Sequence, residues 1–118
     1  MRIVSADKNI LIIEDELDLC LLLKEYFVRK HYSVTLAHTL SGGITLIKEQ
    51  KPDVVILDNN LPDGTGWDMA GEITAISPNT SIFLISANSA PAQSIPKGID
   101  FQMLEKPISF SALDKYFL

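Results

Sequence analysis

The sequence predicts an α/β fold: a doubly wound, five-stranded parallel sheet of order 2-1-3-4-5 with helices on both faces. Three observations lead to it. Five short runs rich in Ile, Val, Leu and Phe, at 9–13, 33–37, 54–57, 81–85 and 101–104, are mostly too short for helices. Longer stretches of helical character separate them, and parallel strands need such crossovers, connected with a right-handed sense. The third run, Val54-Val55-Ile56-Leu57, is continuously apolar instead of alternating, as a strand covered on both faces must be.

Each element has its own reason. Asn9 to Ile13 forms the first strand. After it, Leu19, Leu22, Leu23, Tyr26 and Phe27 place one apolar stripe on a helix that ends near Lys30, with Cys20 as a small buried hydrophobe on it. Ser33 to Ala37 is the second strand and Thr39 to Glu49 the second helix. Val54 to Leu57 follows, then a loop punctuated by Gly64 and Gly66. Trp67 to Ile76 reads as a helix in which Trp67 packs, and Ser81 to Ile85 as the fourth strand. Phe101 to Leu104 is the fifth. The last helix, Ser109 to Phe117, has Ser109 as its cap and Leu113, Tyr116 and Phe117 as its buried face. His31 and His38 have no partners at ligand spacing and are read as solvated.

Composition bounds the function. At 118 residues, 47% hydrophobic and 21% charged, the chain reads as one domain over 1–118 with residues 1–8 as an N-terminal extension. A core of this size needs no disulfide, and a single cysteine points to a reducing, cytoplasmic setting. No apolar run approaches the roughly 20 residues of a membrane span. A net charge of −5, from 15 acids against 10 bases, argues against a nucleic-acid partner.

In this fold class ligands sit at the carboxyl ends of the strands. The first strand ends in Glu14 and Asp15, the third in Asp58, Asn59 and Asn60, the fourth in Ser86 and the fifth in Glu105 and Lys106. If the second strand is at the edge, these four ends converge. Clustered carboxylates favour a cation, and an all-oxygen set suits Mg²⁺ better than zinc. A carboxylate beside a cation, a lysine and a hydroxyl is equipped for phosphoryl transfer, with Asp58 as nucleophile, Lys106 pairing with one phosphoryl oxygen and Ser86 donating to another. Local alternatives stay open. Asp58 can cap a turn before Pro62, the acids after the first strand can partner a helix dipole, and Lys106 can be a surface lysine.

Competing architectures lack their marks. A dinucleotide-binding domain places glycines after the first strand, where this chain has acids that would repel a pyrophosphate. A flavodoxin needs a hydroxyl-rich, phosphate-cradling loop at the same place. An Asp-nucleophile phosphatase carries its nucleophile on the first strand and a general acid two residues later; two residues after Asp58 stands Asn60.

Ile10-Leu11-Ile12-Ile13-Glu14-Asp15, Pro52 to Asp58 with Leu61-Pro62-Asp63-Gly64-Thr65-Gly66, Ser86-Ala87 and Lys106-Pro107 occur in one order at family spacing. Over nearly its whole length the chain thereby resembles the receiver domain of bacterial two-component response regulators, the family of the single-domain chemotaxis regulator. The resemblance implies the flavodoxin-like receiver fold. It implies phosphorylation of Asp58 by a sensor histidine kinase or a phosphotransfer protein. Mg²⁺ would be held by Asp15 directly, by Glu14 through water, by Asp58 and by the carbonyl of Asn60. Ser86 takes the hydroxyl position and Lys106 that of the invariant lysine. Asn60 and Asn88 stand where the family tunes dephosphorylation, and Lys106-Pro107 is a candidate cis peptide.

Two departures lie on the output side. Three residues before the lysine, where the family carries an aromatic switch residue, stands Met103. The segment 90–98, aligned with the family's fourth helix, contains Pro91 and Pro96, and a proline in a helix interior costs about 3 kcal/mol. A short or irregular fourth helix is expected. The functional expectation is a phosphoacceptor that changes conformation to control an output partner, without turning over an external substrate. The alternative is a receiver-like interaction module that is phosphorylated weakly or not at all.

Overall fold

In the computed structural model, residues 8–87 and 98–117 are described. Residues 90–97 of the expected fourth-helix segment, with Pro91 and Pro96, and Asn88 lie outside them.

Alternation of apolar side chains builds two cores on one sheet. In β1 (Asn9–Ile13), Ile10 and Ile12 face one side while Leu11 and Ile13 face the other; Val54 and Ile56 of β3 (Val54–Asp58) oppose Val55 and Leu57 in the same way. Flanking these are β2 (Ser33–Ala37), β6 (Ser81–Ser86) and β7 (Gln102–Glu105). All pair in parallel in the order β2-β1-β3-β6-β7. This is the expected order, with the numbering displaced by a small antiparallel hairpin, β4 (Asn60–Leu61) and β5 (Gly64–Thr65), where the sequence predicts a loop.

Helix α1 (Leu17–Arg29) covers one face together with α4 (Phe110–Asp114). Phe27 is central to that core, with ring centroids 4.9 Å from Tyr26, 5.2 Å from Tyr32 and 4.8 Å from Phe117. The opposite face packs under α2 (Leu40–Gln50) and α3 (Ala70–Ile76), the latter preceded by a 3-10 turn over Gly66–Met69 that buries Trp67. The last helix is shorter than expected. After Asp114 the chain tightens, with Lys115 N–H donating to Ala112 O and Tyr116 N–H to Leu113 O, and this swings Phe117 under the sheet.

The helix ends follow local chemistry. The Ser109 hydroxyl accepts from Ala112 N–H at 3.1 Å, and Thr39 Oγ1 from Gly42 N–H at 3.0 Å. Asp63, from the β4–β5 turn, adds a second cap on α2: its carboxylate accepts from Leu40 N–H at 2.7 Å and Ser41 N–H at 3.0 Å. At the far end of α1, His31 adopts a left-handed conformation (φ 68°), Tyr32 N–H reaches back to Phe27 O and His31 N–H to Val28 O. The Tyr32 and Phe27 rings close the same motif with an apolar contact.

Among the described residues, the large apolar side chains left exposed are Leu17, Leu21, Leu22 and Val28 on α1 and Phe110 on α4. They all belong to one layer. No described helix is long and apolar enough to cross a membrane.

Candidate functional site

Strand register creates the site. Ile13 pairs with Leu57, so one step further the chain ends of β1 and β3 set Glu14 beside Asp58; Asp58 pairs with Ile85 and Ser86 with Glu105, which brings Ser86 and Lys106 to the same end. An open cleft of about 580 Å³ results, lined among others by Asp15, Asp58, Asn60, Ser86 and Lys106. The four strand ends read from the sequence therefore meet. The Lys106-Pro107 peptide is cis.

Lys106 is the electrostatic centre. Its Nζ lies 3.3 Å from Glu14 Oε1, 3.5 Å from Asp58 Oδ1 and 3.7 Å from Glu16 Oε2. Burial pulls its pKa down, but the Asp58 and Glu14 charges outweigh that and hold it above the ordinary lysine range. Glu14 is fully buried, and burial pushes its carboxyl up to about 7; the backbone amide of Glu16 pulls it down, the Asp58 charge raises it and Lys106 lowers it. Asp58 and Ser86 are buried, whereas Asp15 and Asn60 are exposed at the mouth.

Carboxylate oxygens of Glu14, Asp15 and Asp58 lie within 4.8 Å of one another. Glu14 Oε1 is a buried acceptor with no hydrogen bond, its contact with Lys106 lacking hydrogen-bond geometry. Lys106 supplies charge at 3.3 Å but no directed hydrogen bond, so this oxygen keeps the capacity for a further cationic partner. With two of the three acids buried and all the donors oxygens, the set fits a small hard cation.

Close approach shapes the floor. Gly66 lies against Asp58 so tightly that a Cβ there would sit 1.9 Å from Asp58 O, and its N–H donates to Asn59 O at 2.9 Å. Asn59 Oδ1 in turn accepts from Trp67 N–H. Met103 pairs with Leu84 in the sheet and is half-buried against the α2–α3 core.

Several participants escaped the sequence reading. Glu16, one of the acids crowded after the first strand, has a role that the crowding does not show: it shares Lys106. Asp63 ties the loop beyond Asp58 to α2, which no spacing revealed. The sequence predicts a solvated His38; the residue is exposed, but its Nδ1 lies 2.9 Å from Glu14 O, a bond across 24 residues that only the β1–β2 pairing makes possible.

Comparison with known proteins agrees with this geometry. The response regulator receiver domain family matches residues 10–117. The transcriptional regulatory protein DpiA of Escherichia coli K12 is 30% identical over 115 residues, covering 93% of this chain, which spans only 50% of DpiA. The chemotaxis protein CheY of Thermotoga maritima is 33% identical over 89 residues, 75% of this chain and 74% of that protein. In structure, the receiver domain of the sensor histidine kinase PA1611 of Pseudomonas aeruginosa PAO1, which has a magnesium ion coordinated in its active site cleft, superimposes with a TM-score of 0.80. It is 22% identical, with 93% of each chain covered, a likeness of fold. Parallel strands whose ends gather acids, a hydroxyl and a lysine, and a family match over nearly every described residue, lead to one conclusion: the chain belongs to the response regulator receiver domain family.

Proposed function

We propose that the chain is a phosphoacceptor: Asp58 takes a phosphoryl group from a phosphohistidine of a sensor histidine kinase or phosphotransfer protein, with Mg²⁺ as cofactor. The observation that carries this is a buried Asp58 carboxylate 3.5 Å from Lys106 Nζ and within 4.8 Å of two further carboxylates. An Asp58 oxygen attacks phosphorus; the O–P bond forms as the P–N bond breaks, and the imidazole leaves and takes up a proton. Lys106 exchanges its pairing with Asp58 for a phosphoryl oxygen, and Ser86 donates to another. Glu14, Asp15, Asp58 and the Asn60 carbonyl would hold the cation, which supplies charge neutralisation between carboxylate and incoming oxygens. Asn60 at the mouth is placed to influence how water reaches the acyl phosphate.

A second groove supports the donor's arrival. Leu19, Leu22, Pro107 and Ile108 line an apolar cleft of about 410 Å³ that shares Glu16 and Lys106 with the acidic one. We propose that an apolar helix face of the phosphodonor seats there and carries its phosphohistidine to Asp58. Phosphorylation then shifts a two-state equilibrium and alters a protein-binding face. The chain modifies itself and turns over no external substrate.

Incubation with Mg²⁺ and acetyl phosphate, followed by intact mass measurement, tests the reading. One added phosphoryl group is expected, lost in Asp58→Asn and in the presence of excess EDTA. An unmodified wild type would overturn it and leave the receiver-like interaction module in its place.

A further inference from the structure

We infer that His38, with Cys20 beside it, is a positioning residue for the acidic pair: the two side chains hold the peptide that joins Glu14 to Asp15. The inference rests on the Mg²⁺ reading above.

That peptide is gripped at both ends. Pairing of β1 with β2 stops at Ile13 and Ala37, and Glu14 N–H makes the last ladder bond, to Ala37 O at 2.9 Å. The next acceptor, Glu14 O, takes side-chain donors instead. The Cys20 thiol donates to it at 3.1 Å, and His38 Nδ1 lies 2.9 Å away. A carbonyl oxygen can only accept, so the imidazole carries a proton on Nδ1. Sulfur and nitrogen are 3.8 Å apart and converge on one atom from two elements, helix α1 and the residue after β2. At the other end of the same peptide, Asp15 N–H donates to Glu14 Oε2 at 3.0 Å, and that oxygen also accepts from Glu16 N–H at 3.2 Å.

The plane of this peptide sets where both carboxylates project. Rotating it would swing Asp15 away from Asp58 and release the Glu14 carboxylate from the amides that orient it. Neither Cys20 nor His38 lines the acidic cleft, whereas Asp15 does, so both act through the backbone that carries the acids. Outer partners of this kind change metal affinity about 10- to 100-fold when removed.

Isothermal titration of the purified chain with MgCl₂ tests this, alongside melting temperatures measured in EDTA. The variants are His38→Ala, His38→Asn, whose amide can take the place of Nδ1, and Cys20→Ala. His38→Ala is expected to weaken Mg²⁺ binding about 10-fold, His38→Asn to stay within about 3-fold of wild type, and Cys20→Ala to fall between. His38 is exposed and lies outside both cores, so the two His38 variants decide the matter even if Cys20→Ala does not fold. A His38→Ala protein that binds Mg²⁺ as the wild type does, or a His38→Asn protein as weak as His38→Ala, overturns the inference. Melting temperatures in EDTA that fall while Mg²⁺ affinity holds would show a purely structural role. A wild type that binds no Mg²⁺ overturns the cation reading itself, and this inference with it.

Discussion

Replacing Gly66 by alanine adds one methyl group where, among the described glycines, a Cβ has the least room. Its Cβ would lie 1.9 Å from Asp58 O, 3.0 Å from Asp58 C and 3.2 Å from Leu57 Cδ1, and real Cβ atoms essentially never approach closer than 3.0 Å. Relief requires a shift of about 1.1 Å between two stretches of backbone, neither of which can rotate away. The movement stretches the Gly66 N–H bond to Asn59 O, now 2.9 Å. Overpacking of this kind costs about 1–3 kcal/mol and the strained hydrogen bond about 1 more, so a loss of roughly 2–4 kcal/mol is expected. For a domain of this length that lowers the melting temperature by about 10 °C. Urea unfolding followed by far-UV circular dichroism measures it, with an unchanged dependence on denaturant. Because the displaced atom is the carbonyl of Asp58, phosphorylation from acetyl phosphate should slow as well. A loss below about 0.5 kcal/mol together with wild-type phosphorylation would refute the steric argument.

Asp63→Asn removes the charge that caps α2. Hydrogen bonds from Leu40 and Ser41 hold the Asp63 carboxyl below its ordinary pKa, so its stabilising contribution is present above the unfolded value and disappears as pH falls through the folded one. The gap in stability between wild type and Asp63→Asn should therefore be open at pH 7 and narrow as the pH falls below the ordinary carboxylate range; a gap independent of pH sinks the capping argument. His31→Gly relieves a left-handed backbone that costs an L-residue about 1–2 kcal/mol, less the greater chain entropy of glycine, so a gain of about 0.5–1 kcal/mol is expected by urea unfolding. Destabilisation there would contradict it. Phe117→Ala empties a site whose ring centroid lies 4.8 Å from that of Phe27 and 4.9 Å from that of Phe83, and should lose about 3–5 kcal/mol; a value below about 1 would mean that Phe117 does not pin the shortened last helix.

The strands were readable because burial on both faces forces unbroken apolar runs, and Asn9–Ile13 and Ser33–Ala37 fall where the sequence places them. Four of the strand-end groups were readable for a related reason: once the sheet is parallel with β2 outside, Glu14, Asp58, Ser86 and Lys106 have nowhere else to point. Two-residue strands have no periodicity, which is why β4 and β5 went unseen. The last helix was overdrawn because Tyr116 and Phe117 continue an apolar pattern that the sheet, not the helix, claims. His38 and Asp63 were invisible for a different reason. Each spends its polar atoms on backbone groups more than 20 residues away, and such bonds leave no mark on spacing.

The two cores differ in one further respect. All three tyrosines, Tyr26, Tyr32 and Tyr116, pack on the α1–α4 face, while the single tryptophan, Trp67, is buried on the α2–α3 face. Each layer thus carries its own chromophore. Tyrosine signals in near-ultraviolet dichroism report one side of the sheet and tryptophan emission the other, so native protein under mild denaturant shows directly whether the layers loosen together or one at a time. The backbone N–H of Trp67 is bound to Asn59 Oδ1, so a shift of the loop beyond Asp58 moves the residue that carries the indole, and the emission channel reads that as well.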